Sequence, residues 1–138
     1  MNLRTRIIVF LGKLIKFGVI GLIGLLIDFG ITWLVKEKIN LHYLIANFTG
    51  FSIAAISNFF LNSLWTFGNK QAIASKKLIL FVAISLIGLL INTIVLNLFV
   101  CDFSINFYFA KFITVGFVFL WNFTGNYFIT FKEFNLKS

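Results

Sequence analysis

A chain of 138 residues is long enough for one domain, and 60% of it is hydrophobic against 12% charged. No soluble domain of this size has an interior large enough to bury so much apolar surface, which excludes a water-soluble globular fold. The formal net charge of +8 gathers in the segments between long uncharged runs, a distribution that suits a membrane surface and argues against nucleic acid as a partner.

The opening "MNLRTRIIVFLGKLIKFGVIG" is basic and then apolar. Its apolar part is too long for a cleaved leader and no A-x-A-like site follows. It therefore reads as an uncleaved first span preceded by a short amphipathic segment, with Arg4, Arg6, Lys13 and Lys16 among the lipid headgroups. The first span runs from Phe17 to Val35 and holds one charge, Asp28. His42 sits in the short loop that follows and reads as interfacial. The second span, Tyr43 to Phe67, the third, Leu78 to Cys101, and the fourth, Phe112 to Phe131, hold no charge. Each is close to the ~20 residues a helix needs to cross the hydrocarbon. The expected fold is an all-α membrane protein with four transmembrane helices in a single domain, 1–138. Cys101 is the one cysteine, so an internal disulfide is excluded, and it reads as a small apolar residue. No metal or cofactor is implied.

Arg4, Arg6, Lys13, Lys16, Lys70, Lys76, Lys77, Lys132 and Lys137 all fall on one side of the four spans. The other side carries Lys36 and Lys38, offset by Glu37 and Asp102. This bias predicts an N-in/C-in topology, with both termini in the cytoplasm and multiple passes through a plasma membrane.

The two halves align at a constant offset of 64 without a gap. "LIKFGVIGLIGLLID" (Leu14 to Asp28) lies over "LILFVAISLIGLLIN" (Leu78 to Asn92), and "NFFLNSLWTF" (Asn58 to Phe67) over "NFTGNYFITF" (Asn122 to Phe131). Repeat one covers about 14–70 and repeat two about 78–134. Each unit has an even number of spans, so the repeat is predicted to be parallel, with its pseudo-twofold axis along the membrane normal. Polar and small residues form one stripe per helix: Gly21, Gly24 and Asp28; Asn47, Ala54, Asn58 and Asn62; Ser85, Gly88 and Asn92; Lys111, Val118, Asn122 and Asn126. Two readings of the asparagines stand side by side. They are interhelical glue, or they hold a polar headgroup within the bundle, amide and ammonium donors being suited to sugar hydroxyls and phosphate oxygens.

Asp28 inside the first span and Lys111 at the start of the fourth are the charges on the polar stripes, in different repeats, with Asn92 and Asn47 as their counterparts. An intramembrane charge costs about 2.5–3.5 kcal/mol on insertion scales and is a functional candidate by default. Two outcomes are open. The first and fourth helices are adjacent and the two charges approach each other, or Lys111 snorkels to the outer headgroups.

Taken in order, "KFGVIGLIGLLIDFGITWLV", "NFFLNSLWTF", "LIGLLIN", "AKF" and "NFTGNYFITF" resemble the GtrA-like family, including teichoic-acid glycosylation proteins of the GtcA type. The resemblance runs from about Lys16 to Glu133. It implies four helices, a role in cell-surface polysaccharide synthesis, and movement of polyprenyl-phosphate-linked sugars across the bacterial plasma membrane. The alternative it implies is support of the membrane glycosyltransferase that makes them. Asp28, Asn58, Asn62, Lys111, Asn122 and Asn126 match the family's polar positions, and Asn92 joins them through its stripe as a candidate substrate contact. The family often carries a basic residue just after the second Asn of the motif, where this chain has Ser63 and Tyr127. A phosphate grip would then fall to Lys16, Lys70 or Lys76. An enzyme is not expected: no His, Asp or Glu pair has general acid–base spacing, no glycine-rich phosphate loop follows a strand, and a donor-sugar site has no room. Expected partners are the lipid-linked sugar, membrane lipids and the glycosyltransferase. The phenylalanine-rich faces serve either a homo-oligomer or lipid alone.

Overall fold

The computed structural model describes residues 2–66, 68 and 76–130. Expectations resting on Phe67, Lys70, Phe131, Lys132 and Lys137 lie outside the described residues. The described chain is helical, with four helices long and apolar enough to cross a membrane. The whole sequence has no proline, so nothing in the spans removes a backbone donor.

Helix α1 runs from Leu3 to Trp33 without a break. The amphipathic segment expected before the first span is thus continuous with it, because Asn2 caps the helix at its very start by accepting from the Thr5 amide at 2.9 Å. Helix α2 spans Tyr43–Leu61, α3 spans Lys76–Asn97 and α4 spans Phe107–Gly125. Side chains cap α2 and α4 at matching places. His42 Nδ1 accepts from the Leu44 amide at 3.3 Å, and Asn106 Oδ1 accepts from the Tyr108 amide at 3.1 Å. His42 therefore has a local structural task.

Every helix widens in its last turn. Five π-helical residues follow each one: Leu34–Lys38, Asn62–Thr66, Leu98–Asp102 and Asn126–Thr130. After α1 and α3 the wide turn closes with i→i+5 bonds, Ile39 N–H to the Leu34 carbonyl at 3.1 Å and Phe103 N–H to the Leu98 carbonyl at 3.2 Å. The chain then reverses through Asn40 and Ser104, both with positive φ (61° and 51°). Asparagine tolerates that region; for serine it is less common.

The hairpins α1–α2 and α3–α4 pack against each other as a four-helix bundle, and most large apolar side chains face outward. That is the inverse of a soluble core and the arrangement hydrocarbon demands, since outward apolar groups carry no cost there. The stripes read from the sequence line the inside.

A polar cavity sealed at both ends of the bundle

Three layers occupy the bundle axis, and each takes one residue from each helix. The first is polar: Asp28 from α1, Asn47 from α2, Asn92 from α3 and Lys111 from α4. Lys111 Nζ donates to Asp28 Oδ1 at 2.9 Å and to Asn47 Oδ1 at 2.7 Å. Asn47 Nδ2 donates to Asn92 Oδ1 at 2.7 Å. Thr32 Oγ1 adds a bond to Asp28 Oδ1 at 3.2 Å. Lys111, Asn47 and Asn92 are fully buried and Asp28 nearly so. Of the two outcomes open in the sequence, the charges pair; Lys111 does not snorkel. Helix α4 begins at Phe107, so Lys111 lies in its second turn rather than at its edge, and its stem reaches inward across the axis. Gly50 makes the approach possible. A Cβ there would lie 2.5 Å from both the Asp28 carbonyl oxygen and its Oδ1, and would also meet Thr32 Oγ1.

The second layer holds Asn58 and Asn122. The Asn58 amide lies flat on Gly24, where a Cβ would come within 2.5 Å of it, and the Asn122 amide covers Gly88, where the distance would be 3.0 Å. Oδ1 of each is buried and accepts no hydrogen bond, and the buried hydroxyl of Ser85 has no partner either. These groups line a cavity of about 70 Å³ together with Gly21, Gly24, Asp28, Ala54 and Val118. That is room for several water molecules or a small polar group.

The third layer is Phe17, Phe59, Phe81 and Phe123, all buried. Phe17 and Phe123 meet edge-on with ring centroids 5.1 Å apart, and Phe59 and Phe81 meet at 4.8 Å. The cavity thus has a salt-bridged ceiling and an aromatic floor.

Asn62 and Asn126 are not among the residues that line this cavity. Asn62 Nδ2 donates to the Asn58 carbonyl at 2.9 Å and its Oδ1 accepts from Thr66 at 2.7 Å; Asn126 does the same with Asn122 and Thr130, both at 2.8 Å. Both amides are engaged by their own helix, where the wide turn begins and α-helical pairing ends. Asn92 is brought to the polar ceiling, with its Nδ2 left unpaired. The residue missed in choosing candidates is Asn47. Its signal was present: it stands 64 positions before Lys111. Ser63, where the family resemblance led one to look for a basic residue, is fully buried with an unpartnered hydroxyl. Tyr127 packs on Phe10 and Phe123 at the aromatic floor, with centroids 5.0 and 5.6 Å away. Neither offers a cation. Lys16 lies on the Trp65 ring, 5.8 Å from its centroid.

A small multi-pass membrane protein with a polar chamber inside its bundle is the class these features define. The GtrA/DPMS transmembrane-domain model matches residues 16–131, and the chain belongs to that family. Membership ties it to the handling of polyprenyl-phosphate-linked sugars. No curated protein and no solved structure matches the chain.

Proposed function

We propose that this protein moves a polyprenyl-phosphate-linked monosaccharide across a bacterial plasma membrane, without catalysing a reaction, for glycosylation of a cell-surface polymer such as teichoic acid. The observation that carries this is the unsatisfied chamber. Helix association alone would pair its polar groups, because each one left unpaired costs about 1–3 kcal/mol. Here Asn58, Asn122 and Ser85 keep buried polar atoms without protein partners beside Asp28. Sugar hydroxyls would satisfy them. Lys111 is engaged by Asp28 and Asn47, so a phosphate must displace one of those contacts or stay outside near the basic helix ends.

The topology that goes with this reading is a parallel pair of two-helix units with both termini in the cytoplasm. Supporting it, contacts recur at an offset of 64: Lys111 to Asp28 as Asn47 to Asn92, Asn58 on Gly24 as Asn122 on Gly88, and Phe17 to Phe123 as Phe81 to Phe59. Floor and ceiling then face the cytoplasm and the outside, and the chamber lies between them. Transport would run downhill, drawn by removal of the sugar on the outer face.

Reconstitution into vesicles tests the proposal. A radiolabelled polyprenyl-phosphate monosaccharide, probed with a membrane-impermeant sugar oxidant, should become fully accessible in proteoliposomes and only half accessible in protein-free vesicles. Equal protection in both, with co-purification of a membrane glycosyltransferase, would instead establish the anchoring role.

A further inference from the structure

The two seams between the hairpins differ in the side chains that fill them. At the α4–α1 seam, Phe119 fills part of the gap, lining the chamber beside Gly21, Leu25 and Val115. Its ring lies 3.2 Å from where a Cβ on Gly21 would stand, and meets Phe17 at a centroid distance of 5.7 Å. At the α2–α3 seam the corresponding residue, 64 positions earlier, is Ala55. A groove of about 180 Å³ opens there, lined by apolar side chains such as Ile56, Val82 and Leu86. Phe51, Ala55, Phe81 and Ser85 line both this groove and the polar chamber. The chamber is blocked along the axis in both directions, so a headgroup joined to a membrane-embedded tail has to enter sideways. The α2–α3 groove shares a wall with the chamber, formed by those four residues, and has the polarity of a tail on one side of that wall and of a headgroup on the other.

We infer that the α2–α3 groove seats the isoprenoid chain of the lipid whose sugar headgroup occupies the chamber, with Ala55 as the residue that keeps this portal open. The inference rests on the proposed function. A groove whose counterpart position is occupied by Phe119 suits a lipid with a single chain better than a two-chain phospholipid. The apolar wall gives the chain the same environment as the surrounding hydrocarbon, so its entry carries no desolvation cost. The seam is thereby marked as the one that parts when lipid enters.

The test uses the full chain in nanodiscs of phosphatidylethanolamine and phosphatidylglycerol, with a polyprenyl-phosphate hexose carrying a diazirine in its first isoprene units. Cross-links mapped by mass spectrometry should fall on Ser52, Ile56, Val82 and Leu86. Ala55→Phe should cut that labelling by about tenfold, as expected from filling a site with bulk it cannot absorb. Phe119→Ala should add labelling on α1 and α4. Ser52→Leu provides a second obstruction on the same wall if Ala55→Phe does not fold, as judged by circular dichroism and gel filtration. Even labelling of all four helices, labelling unchanged by both obstructing variants, or cross-links that instead join two copies of the chain would overturn the portal. Native mass spectrometry separates this from failure of the functional reading. Selective binding of the sugar lipid over phosphatidylglycerol with label elsewhere removes only the portal, whereas no selectivity removes both.

Discussion

Replacing Lys111 by asparagine removes the only cation in the polar ceiling and leaves Asp28 with Thr32 as its remaining partner at 3.2 Å. Breaking a buried pair from one side costs about 3–5 kcal/mol, because a charge stays behind in a medium that solvates it poorly. Asp28→Asn alone strands the lysine instead, at a comparable cost of about 3–5 kcal/mol. The double variant behaves differently. It installs at positions 28 and 111 the same two residue types that already bond as Asn92 and Asn47 at 2.7 Å. What is then lost is the Lys111 to Asn47 bond and some packing around a shorter side chain, about 1–2 kcal/mol together. The double variant should thus be more stable than either single one, with a coupling energy of at least about 2 kcal/mol. Unfolding in mixed micelles of dodecyl maltoside and sodium dodecyl sulfate, followed by circular dichroism, measures all four corners of the cycle. Additive costs, or a Lys111→Asn variant within about 0.5 kcal/mol of the parent, would show that the pair is not what holds the ceiling together.

The two kinds of asparagine should separate in a parallel experiment. Asn62→Ala and Asn126→Ala each lose two bonds and should cost about 1–2 kcal/mol, while Asn58→Ala and Asn122→Ala remove a buried oxygen that has no partner and should leave stability nearly unchanged while lowering transport in vesicles. If transport survives the second pair, the chamber amides do not touch the sugar. Among the glycines, Gly50→Ala should be the most damaging, since its new methyl meets the Asp28 backbone, whereas Gly30→Ala and Gly116→Ala have open space and should gain about 0.5–1 kcal/mol of helix propensity. Thermal unfolding in detergent ranks the three; equal shifts would refute the close approach at Gly50. For orientation, in a chain lacking Cys101, a cysteine at Lys38 should react with an impermeant thiol reagent on intact cells and one at Lys70 should not. The reverse pattern would invert the topology.

Much of the bundle is legible in the sequence. Four apolar runs marked four helices, and the stripes through Gly24, Asn58, Ser85 and Asn122 marked the inward faces, because polar groups in hydrocarbon have nowhere else to go. The pairing of Asp28 with Lys111 stayed undecided for a geometric reason. Relative depth depends on where each helix starts, and uncharged runs do not mark starts: α4 begins five residues before its run does. The engaged state of Asn62 and Asn126 was hidden as well. A wide turn shows only in backbone hydrogen bonding, and the sequence offers no distinct residue for it. The phenylalanine floor was masked by abundance, since with 20 phenylalanines in the chain the four on the axis look like those that face lipid.

The places where the halves differ are where the chamber acquires direction. A perfectly repeated chain would carry the same residue at positions 28 and 92 and at 47 and 111, hence two like charges, two acids with two bases, or no charge in the ceiling. Two carboxylates there would repel, and four asparagines would give an uncharged ring with little hold on a polar headgroup. One acid and one base, each beside the other's neutral counterpart, leave a net-neutral ceiling that still offers charged atoms to a ligand able to compete for them. The same logic applies to the walls. With phenylalanine at both 55 and 119 the bundle wall would be filled with a ring at both seams. With alanine at both it would open at two seams and lose the aromatic packing of Phe119 on Phe17. One of each leaves the α1–α4 seam filled by Phe119 on Phe17 and spanned by the buried ion pair, and the α2–α3 seam spanned by the Asn47–Asn92 and Phe59–Phe81 contacts with a groove beside Ala55.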